Sequence, residues 1–185
     1  TELLRITKGL TMNLSKTLQE YFNELSSNSP TPGGGNIAAL CGTLSSSLGI
    51  MVCNLTIGKK KYADVEQEMI SLKEKLERMQ KSFIELGQKD NASIDKVMDA
   101  FKLPKETDQE KGARSKAIEE ATIGATSAPM EVIQSSKALL LILEVIIDKG
   151  NIKSISDAGV AAALVGTAAK GAYLNVLINC SSLSN

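Results

Sequence analysis

The stretch between Val65 and Phe101 carries a stripe of large apolar residues that an α-helix would bring onto one face. Their spacing alternates between four and three residues, as in the seam of a coiled coil, so we expect one long helix packed against others. The members of this seam are Val65, Met69, Leu72, Leu76, Met79, Phe83, Leu86, Ile94, Val97 and Phe101. The pattern predicts a helical bundle organised around this central helix.

An acid occupies one position of the seam, since Asp90 lies where the spacing calls for an apolar residue. Burying a carboxylate is costly unless it is paired, hydrogen-bonded or protonated, and burial raises its pKa toward the range that suits a general acid or base. The alternative is a turn or break near Gly87 that directs Asp90 into water. The spacing alone leaves both possibilities open, because structural pairs and solvated acids also interrupt seams.

Breaker runs divide the rest of the chain into further helical segments, and we find no alternating run that predicts a strand. The sequence therefore predicts one all-α domain over residues 1–185, a bundle of six or seven helices that dimerises through helices rich in small residues. In chain order, the predicted helices run over about 15–25, 37–57 and 65–101, from an N-cap at Thr107 to a break at Pro129, from there to Gly150, and from an N-cap at Ser156 to Asn179.

The sequence contains no histidine. This excludes a Ser-His-Asp triad, a Cys-His dyad and a His-ligated zinc site, so any proton transfer must use Asp, Glu, Lys, Tyr or Cys. The three cysteines, Cys41, Cys53 and Cys180, form no CxxC pair and are typical of reduced thiols that pack inside helices. We therefore predict no metal site.

The charge balance argues against large anionic partners. A formal net charge of zero gives no electrostatic footprint for nucleic acid or an anionic membrane. Segment 37–57 is long and apolar enough to cross a bilayer, but its Ser, Thr and Asn residues favour a buried or dimer-interface helix. The N-terminus shows no signal peptide, so we expect a cytoplasmic protein.

Several separated motifs resemble one family. They are Pro32-Gly33-Gly34-Gly35-Asn36, Leu55-Thr56-Ile57-Gly58-Lys59-Lys60-Lys61-Tyr62, Asp90 followed by Lys102-Leu103-Pro104-Lys105, Gly150-Asn151, Ser156-Asp157, and Gly171-Ala172-Tyr173-Leu174-Asn175-Val176-Leu177-Ile178-Asn179. In this order they resemble the signatures of the cyclodeaminase/cyclohydrolase family. Two departures occur: relatives often have Ala and an aromatic residue where this chain has Asn91 and Ile94, and they commonly have a further C-terminal helix beyond the position of Asn185.

The resemblance implies an all-helical homodimer that acts on the one-carbon unit bridging N5 and N10 of tetrahydrofolate, with Asp90 as proton donor and acceptor. It implies no cofactor beyond the tetrahydrofolate substrate, which we expect to be polyglutamylated. We place formiminotetrahydrofolate cyclodeaminase first and methenyltetrahydrofolate cyclohydrolase second. A rival of another class is a non-catalytic helical module for self-association.

Three groups of residues are candidates for substrate binding, each with a structural alternative. Glycines at a helix start expose backbone N–H groups that could contact the folate, or they permit a tight helix crossing. A lysine run could attract the glutamate tail, or cap a solvated helix end. Polar residues around the last helix could contact the pterin or bond between helices. The candidates are Gly33, Gly34, Gly35 and Asn36; Lys59, Lys61 and Tyr62; and Asp157, Asn175 and Asn179.

Overall fold

Six α-helices account for most of residues 16–183, the part of the chain that this computed structural model describes. They are α1 (Leu18–Leu25), α2 (Gly34–Thr56), α3 (Glu66–Phe101), α4 (Asp108–Ala125), α5 (Ser127–Lys149) and α6 (Ile155–Ser181), with 3-10 turns at Lys60–Tyr62 and Ile152–Ser154. No strand occurs between residues 16 and 183, and the all-α prediction is confirmed. Ser15, the predicted start of the first helix, lies outside the described residues.

Local sequence signals set most helix ends. Thr107 caps α4 through the predicted capping box. The predicted break at Pro129 falls instead at Thr126, because proline is tolerated in the first turn of a helix, where its missing N–H costs no hydrogen bond. The predicted N-cap at Ser156 is wrong by two residues, since α6 begins directly after Ser154 at the end of a 3-10 turn.

Helix α2 lies at the centre of the bundle and runs antiparallel to both α3 and α6. The Ser45 hydroxyl on its buried face donates to the carbonyl of Ala161 at 2.7 Å and ties α2 to α6. The small residues of α2 allow both α3 and α6 to approach it closely, as the composition of this segment predicts. Helix α5 closes the core by burying Leu139, Leu143 and Ile146.

Glycines spaced by seven on α2 face seam residues spaced by seven on α3. A methyl group built on any of these glycines would touch or overlap the side chain opposite. We refer to each glycine with its facing side chain as a glycine slot, a version of knobs-into-holes packing in which the hole is bare backbone. The three slots are Gly49 with Leu76, Gly42 with Phe83, and Gly35 with Asp90.

Two helical stretches, Gly34–Thr56 and Ile152–Ser181, are long and apolar enough to cross a membrane by length and composition. The core helix of a soluble protein passes the same test. In the first stretch, half of the most apolar window is buried within the bundle, and in the second 22% is buried.

Candidate active site at the start of helix α2

Asp90 is buried in the third glycine slot, with only 8% of its surface exposed. A methyl group on Gly35 would overlap the Asp90 carboxylate and lie 2.6 Å from its Oδ2. Helix α3 continues without a break past Gly87 to Phe101. The seam therefore holds its register through the acid, and the alternative in which a turn near Gly87 exposes Asp90 to water is excluded.

Burial sets the proton affinity of this acid. Desolvation raises the pKa of the Asp90 carboxyl from 3.8 to about 6, while the backbone N–H of Asn36 acts in the opposite direction as a hydrogen-bond donor. No lysine or arginine between residues 16 and 183 forms an ion pair with Asp90. The carboxyl can therefore both give and take a proton near neutral pH.

Asn36 fastens three helices together beside the acid and is itself only 1% exposed. Its Oδ1 accepts a hydrogen bond from the Tyr21 hydroxyl of α1 at 2.7 Å, and its Nδ2 donates to the carbonyl of Gly87 in α3 at 3.0 Å. Its side chain is thus engaged within the protein, and its backbone N–H is what it offers to Asp90. The sequence argument missed Tyr21, whose only signal is its place on the apolar stripe of α1.

The glycines before Asn36 leave the first turn of α2 accessible from the surface. Gly33 is the N-cap of α2 with an extended backbone, and Gly34 is exposed. The first N–H groups of a helix have no partner within it, so they remain available to a ligand. A methyl group on Gly34 would lie 3.4 Å from Nδ2 of Asn175, an ordinary contact, which places Asn175 at the mouth of the site.

Asn175 and Asn179 lie on successive turns of α6 at this end of the bundle. The Nδ2 of Asn175 donates to the carbonyl of Gly171 at 2.8 Å, and that of Asn179 donates to the carbonyl of Ala125 at 3.2 Å. Both amides therefore have a structural partner while remaining half-buried. Asn91, a departure from the family pattern, has a buried Oδ1 with no hydrogen-bond partner among the described residues.

The remaining predicted residues lie at the opposite end of the bundle within one chain. Helix α2 has 23 residues and is about 34 Å long, and the 3-10 turn Lys60–Tyr62 follows its C-terminus. Lys59 and Lys61 are exposed, and the Tyr62 hydroxyl accepts a hydrogen bond from the N–H of Ile152 at 3.0 Å. Asp157, in the first turn of α6, lies at this end as well. The structure thus joins Gly33–Asn36, Asp90 and Asn175, and it places Asn179 one helical turn beyond Asn175 on α6. It separates all of them from Lys59, Lys61, Tyr62 and Asp157.

Metal-binding side chains do not converge in the described part of the chain. Between residues 16 and 183, no group of three or more Cys, Asp or Glu residues is placed to hold a metal ion. All three cysteines are free thiols. The chemistry that this arrangement offers is proton transfer by Asp90 beside the first N–H groups of α2, which have no partner within the helix.

Comparisons with known proteins identify relatives over nearly the whole chain. A family described as formiminotransferase-cyclodeaminase matches residues 17–185. A methenyltetrahydrofolate cyclohydrolase from Methylorubrum extorquens is 39% identical over 171 residues, which are 92% of this chain and 82% of that protein. The formimidoyltransferase-cyclodeaminase of Mus musculus is 29% identical over 93% of this chain, which spans only 32% of the mouse protein.

A solved structure agrees with these sequence relationships. The crystal structure of formiminotetrahydrofolate cyclodeaminase from Thermotoga maritima is similar with a TM-score of 0.80 and 34% sequence identity. The similarity covers 92% of this chain and 81% of the other. Relatives named for either activity are therefore similar to this chain. The similarity extends over most of the Methylorubrum extorquens and Thermotoga maritima proteins and over one part of the mouse protein.

Proposed function

The chain belongs to the formiminotransferase-cyclodeaminase family of folate one-carbon enzymes, and from this premise we propose that Asp90 is its general acid and base at the carbon between N5 and N10 of tetrahydrofolate. The observation that carries the proposal is a buried carboxyl with no cationic partner in the described chain and a pKa of about 6. Such a group exchanges protons at neutral pH, and general acid–base catalysis contributes typically ~10²–10⁴ in rate.

The reaction we place first is methenyltetrahydrofolate cyclohydrolysis. It is supported by the 39% identity to a cyclohydrolase of which the chain covers 82%, compared with 29% identity to the mouse bifunctional protein. Water adds to the bridging carbon and gives a proton to the Asp90 carboxylate. The protonated Asp90 then returns a proton to N5 as the bond between the carbon and N5 breaks. The hydroxyl proton leaves to solvent, and the products are 10-formyltetrahydrofolate and one proton.

Cyclodeamination is the second candidate, favoured by the similarity to the Thermotoga maritima enzyme. Here N10 attacks the protonated formimino carbon on N5 and gives its proton to Asp90. The acid passes a proton to the departing nitrogen, and the bond between that nitrogen and the carbon breaks. Ammonia leaves, and the 5,10-methenyl cation remains. The same carboxyl serves both reactions, because each passes through a tetrahedral carbon with one nitrogen to be protonated.

The test is a pair of assays on one purified preparation. Hydrolysis of 5,10-methenyltetrahydrofolate is followed beside ammonia release from 5-formiminotetrahydrofolate, for wild type, Asp90→Asn and Asp95→Asn. Asp95 is an exposed carboxylate on the same helix and serves as the matched control. We expect hydrolysis to exceed deamination in wild type and in the Asp95 variant, and both to be lost in the Asp90 variant. Deamination that exceeds hydrolysis would reverse the order of the two candidates.

We propose in addition that the enzyme is a cytoplasmic homodimer joined through its small-residue helices. Helices α2 and α6 expose large apolar side chains, among them Leu44, Leu55, Val160, Leu174 and Ile178. Exposed apolar patches of this kind mark interaction surfaces. Light scattering on the eluting protein should give twice the chain mass of 19.7 kDa, and substitution of Leu174 by Glu should return it to a single chain.

A further inference from the structure

A cavity of about 360 Å³ lies where the end of α3, the start of α4 and the end of α6 meet. Its lining includes three cationic side chains, Lys105, Lys111 and Arg114, and one acid, Glu119. Ser182, the C-cap residue of α6, also lines the cavity. A concave site with this excess of positive charge suits a ligand that carries several carboxylates.

The three cations differ in how firmly they are held. The Arg114 guanidinium is fixed by two hydrogen bonds to the carbonyl of Phe101, at 3.3 and 3.1 Å, and lies 5.5 Å above the Phe101 ring. Its remaining N–H groups are left for a ligand. Lys111 pairs only with the exposed Asp108, and Lys105 forms no ion pair within residues 16–183. The cavity thus has one preorganised cation and two whose charge remains available.

Helices α3 and α6 both lead from the proposed catalytic acid toward the cavity. From Asp90 to the end of α3 at Phe101 is eleven residues, about 16 Å of helix. From Asn175, beside Gly34, to Ser182 is seven residues, about 10 Å along α6. An extended peptide residue spans ~3.5 Å, so a benzoyl group followed by two or three glutamyl units covers a path of this length.

We propose that this cavity binds the carboxylates of the γ-linked glutamate tail of the folate, an inference that rests on the proposed function. The reacting carbon then lies at Asp90 and the tail follows α3 and α6 toward Arg114. The lysine run at Lys59–Lys61, where the sequence suggested the tail would bind, lies beyond the other end of a helix about 34 Å long. The two lysine clusters therefore make opposite predictions for the same ligand.

The experiment measures the dissociation constants of tetrahydrofolate carrying one and five γ-linked glutamates. Wild type is compared with K105Q/K111Q, with K59Q/K61Q as the rival cluster, and with K75Q/K81Q. The last pair removes the same charge from exposed positions on α3 and serves as the matched control. Thermal unfolding of each variant checks that it is folded. The measured quantity is the ratio of the two constants, which isolates the tail from the rest of the folate.

We expect wild type to bind the five-glutamate form at least about 5-fold more tightly, and K105Q/K111Q to lose most of that preference, since partly exposed ion pairs contribute modestly but measurably. Binding and turnover of the one-glutamate form should be unchanged in K75Q/K81Q. A preference that survives in K105Q/K111Q, that disappears only in K59Q/K61Q, or that wild type lacks, would overturn the tail site while leaving the proposed function intact. Failure of wild type to bind either form would overturn both.

Discussion

Two neighbouring slots between α2 and α3 have the same backbone arrangement and opposite chemistry. In one, Gly42 faces the fully buried ring of Phe83, and in the other, seven residues away on each helix, Gly35 faces the carboxyl of Asp90. Burial of the ring stabilises the fold, whereas burial of the acid raises its pKa to about 6. The comparison indicates that the candidate site is a core packing position in which one apolar side chain is replaced by an acid.

The position of the slot along α2 explains why only one of them accommodates an acid. Gly42 lies within the helix, where backbone N–H groups are used by the helix itself. Gly35 lies in the first turn, where N–H groups have no helical partner, and the N–H of Asn36 is directed to the Asp90 carboxyl. The positive end of the helix dipole adds to this effect. The same acid at the Gly42 slot would have no donor.

The largest expected effect comes from replacing Asp90 by a side chain of the same shape that has no titratable proton. Asp90→Asn fills the slot with a side chain of the same size that cannot exchange a proton. We expect kcat to fall by ~10²–10⁴ while the thermal unfolding temperature stays at or above that of wild type. Steady-state kinetics with either folate substrate checks this, with Asp95→Asn as control. Near-normal turnover in the Asp90 variant would remove this acid from the mechanism.

The pH dependence of stability tests whether Asp90 is desolvated in the folded protein, and it needs no substrate. The pKa of Asp90 is raised in the folded state, so its proton binds more tightly there than in the unfolded chain. The carboxyl is protonated in both states below about pH 3; between about pH 4 and pH 6 it ionises in the unfolded chain first, and the cost of burying it is complete above about pH 7. A shift from 3.8 to about 6 corresponds to about 3 kcal/mol.

We therefore expect the free energy of unfolding of Asp90→Asn, relative to wild type, to increase by about 3 kcal/mol between pH 3 and pH 8. Urea denaturation across this range gives the difference. The Asp95→Asn protein should show no comparable rise, because Asp95 is exposed on the same helix. A constant difference between Asp90→Asn and wild type would mean that the acid is not desolvated in the folded protein.

The same substitution in the two slots should have different consequences. A methyl group on Gly42 would lie 2.5 Å from two carbons of the Phe83 ring, which is held on all sides, so we expect Gly42→Ala to lower the free energy of unfolding by ~1–3 kcal/mol. At Gly35 the methyl group would overlap the Asp90 carboxyl, its Cγ included, so the acid has to rotate out of the slot, and leaving the slot relieves its desolvation. We expect Gly35→Ala to be nearly as stable as wild type and to lose kcat on the order of 10²-fold.

Urea denaturation and kinetics on both variants separate the slots. Gly34→Ala is the control, because its methyl group would make only an ordinary contact with Asn175. An unchanged KM in that variant would favour a packing role for the glycines, and a raised KM would favour contact with the folate. Equal losses of stability in Gly35→Ala and Gly42→Ala would contradict the distinction between the slots.

Patterns that depend on near neighbours in the chain could be predicted, and patterns that depend on which helices meet could not. The seam spacing predicted α3, and the capping box at Thr107 predicted the start of α4, because both patterns are local. The spacing left the burial of Asp90 open, and the continuation of α3 past Gly87 decided it. The glycine slots could not be derived, since spacing on α2 does not say that α3 lies opposite it. The preceding 3-10 turn moved the start of α6 to Ile155, directly after Ser154, whose side chain makes no capping hydrogen bond, so cap preference alone could not give this boundary.

The composition of the site shows the same limit. The motif residues Gly35 and Lys59 lie at opposite ends of α2, which the predicted helix over 37–57 already implied. The approach of Asn175 on α6 to Gly34, in contrast, depends on how the helices pack and follows only from the coordinates. Tyr21 carried no recognisable signal, because an apolar stripe does not distinguish a packing tyrosine from one whose hydroxyl reaches a partner on another helix. Its contact with Asn36 could be found only from coordinates.

The smallest expected effect comes from the hydrogen bond between Tyr21 and Asn36, next to the slot that holds Asp90. Tyr21→Phe removes the hydroxyl that donates to Asn36 Oδ1 and leaves a buried acceptor unpaired, at a cost of about 1 kcal/mol. Asn36 then holds its backbone N–H less firmly toward Asp90, and because that N–H lowers the pKa of the acid, the pKa should rise. We expect the kcat–pH profile to move to higher pH with a few-fold loss of kcat and an unchanged KM. Tyr173→Phe, which alters an exposed tyrosine on α6, is the control. A loss of stability in Tyr21→Phe with an unmoved pH profile would show that this hydrogen bond supports the fold and leaves the pKa of Asp90 unaffected.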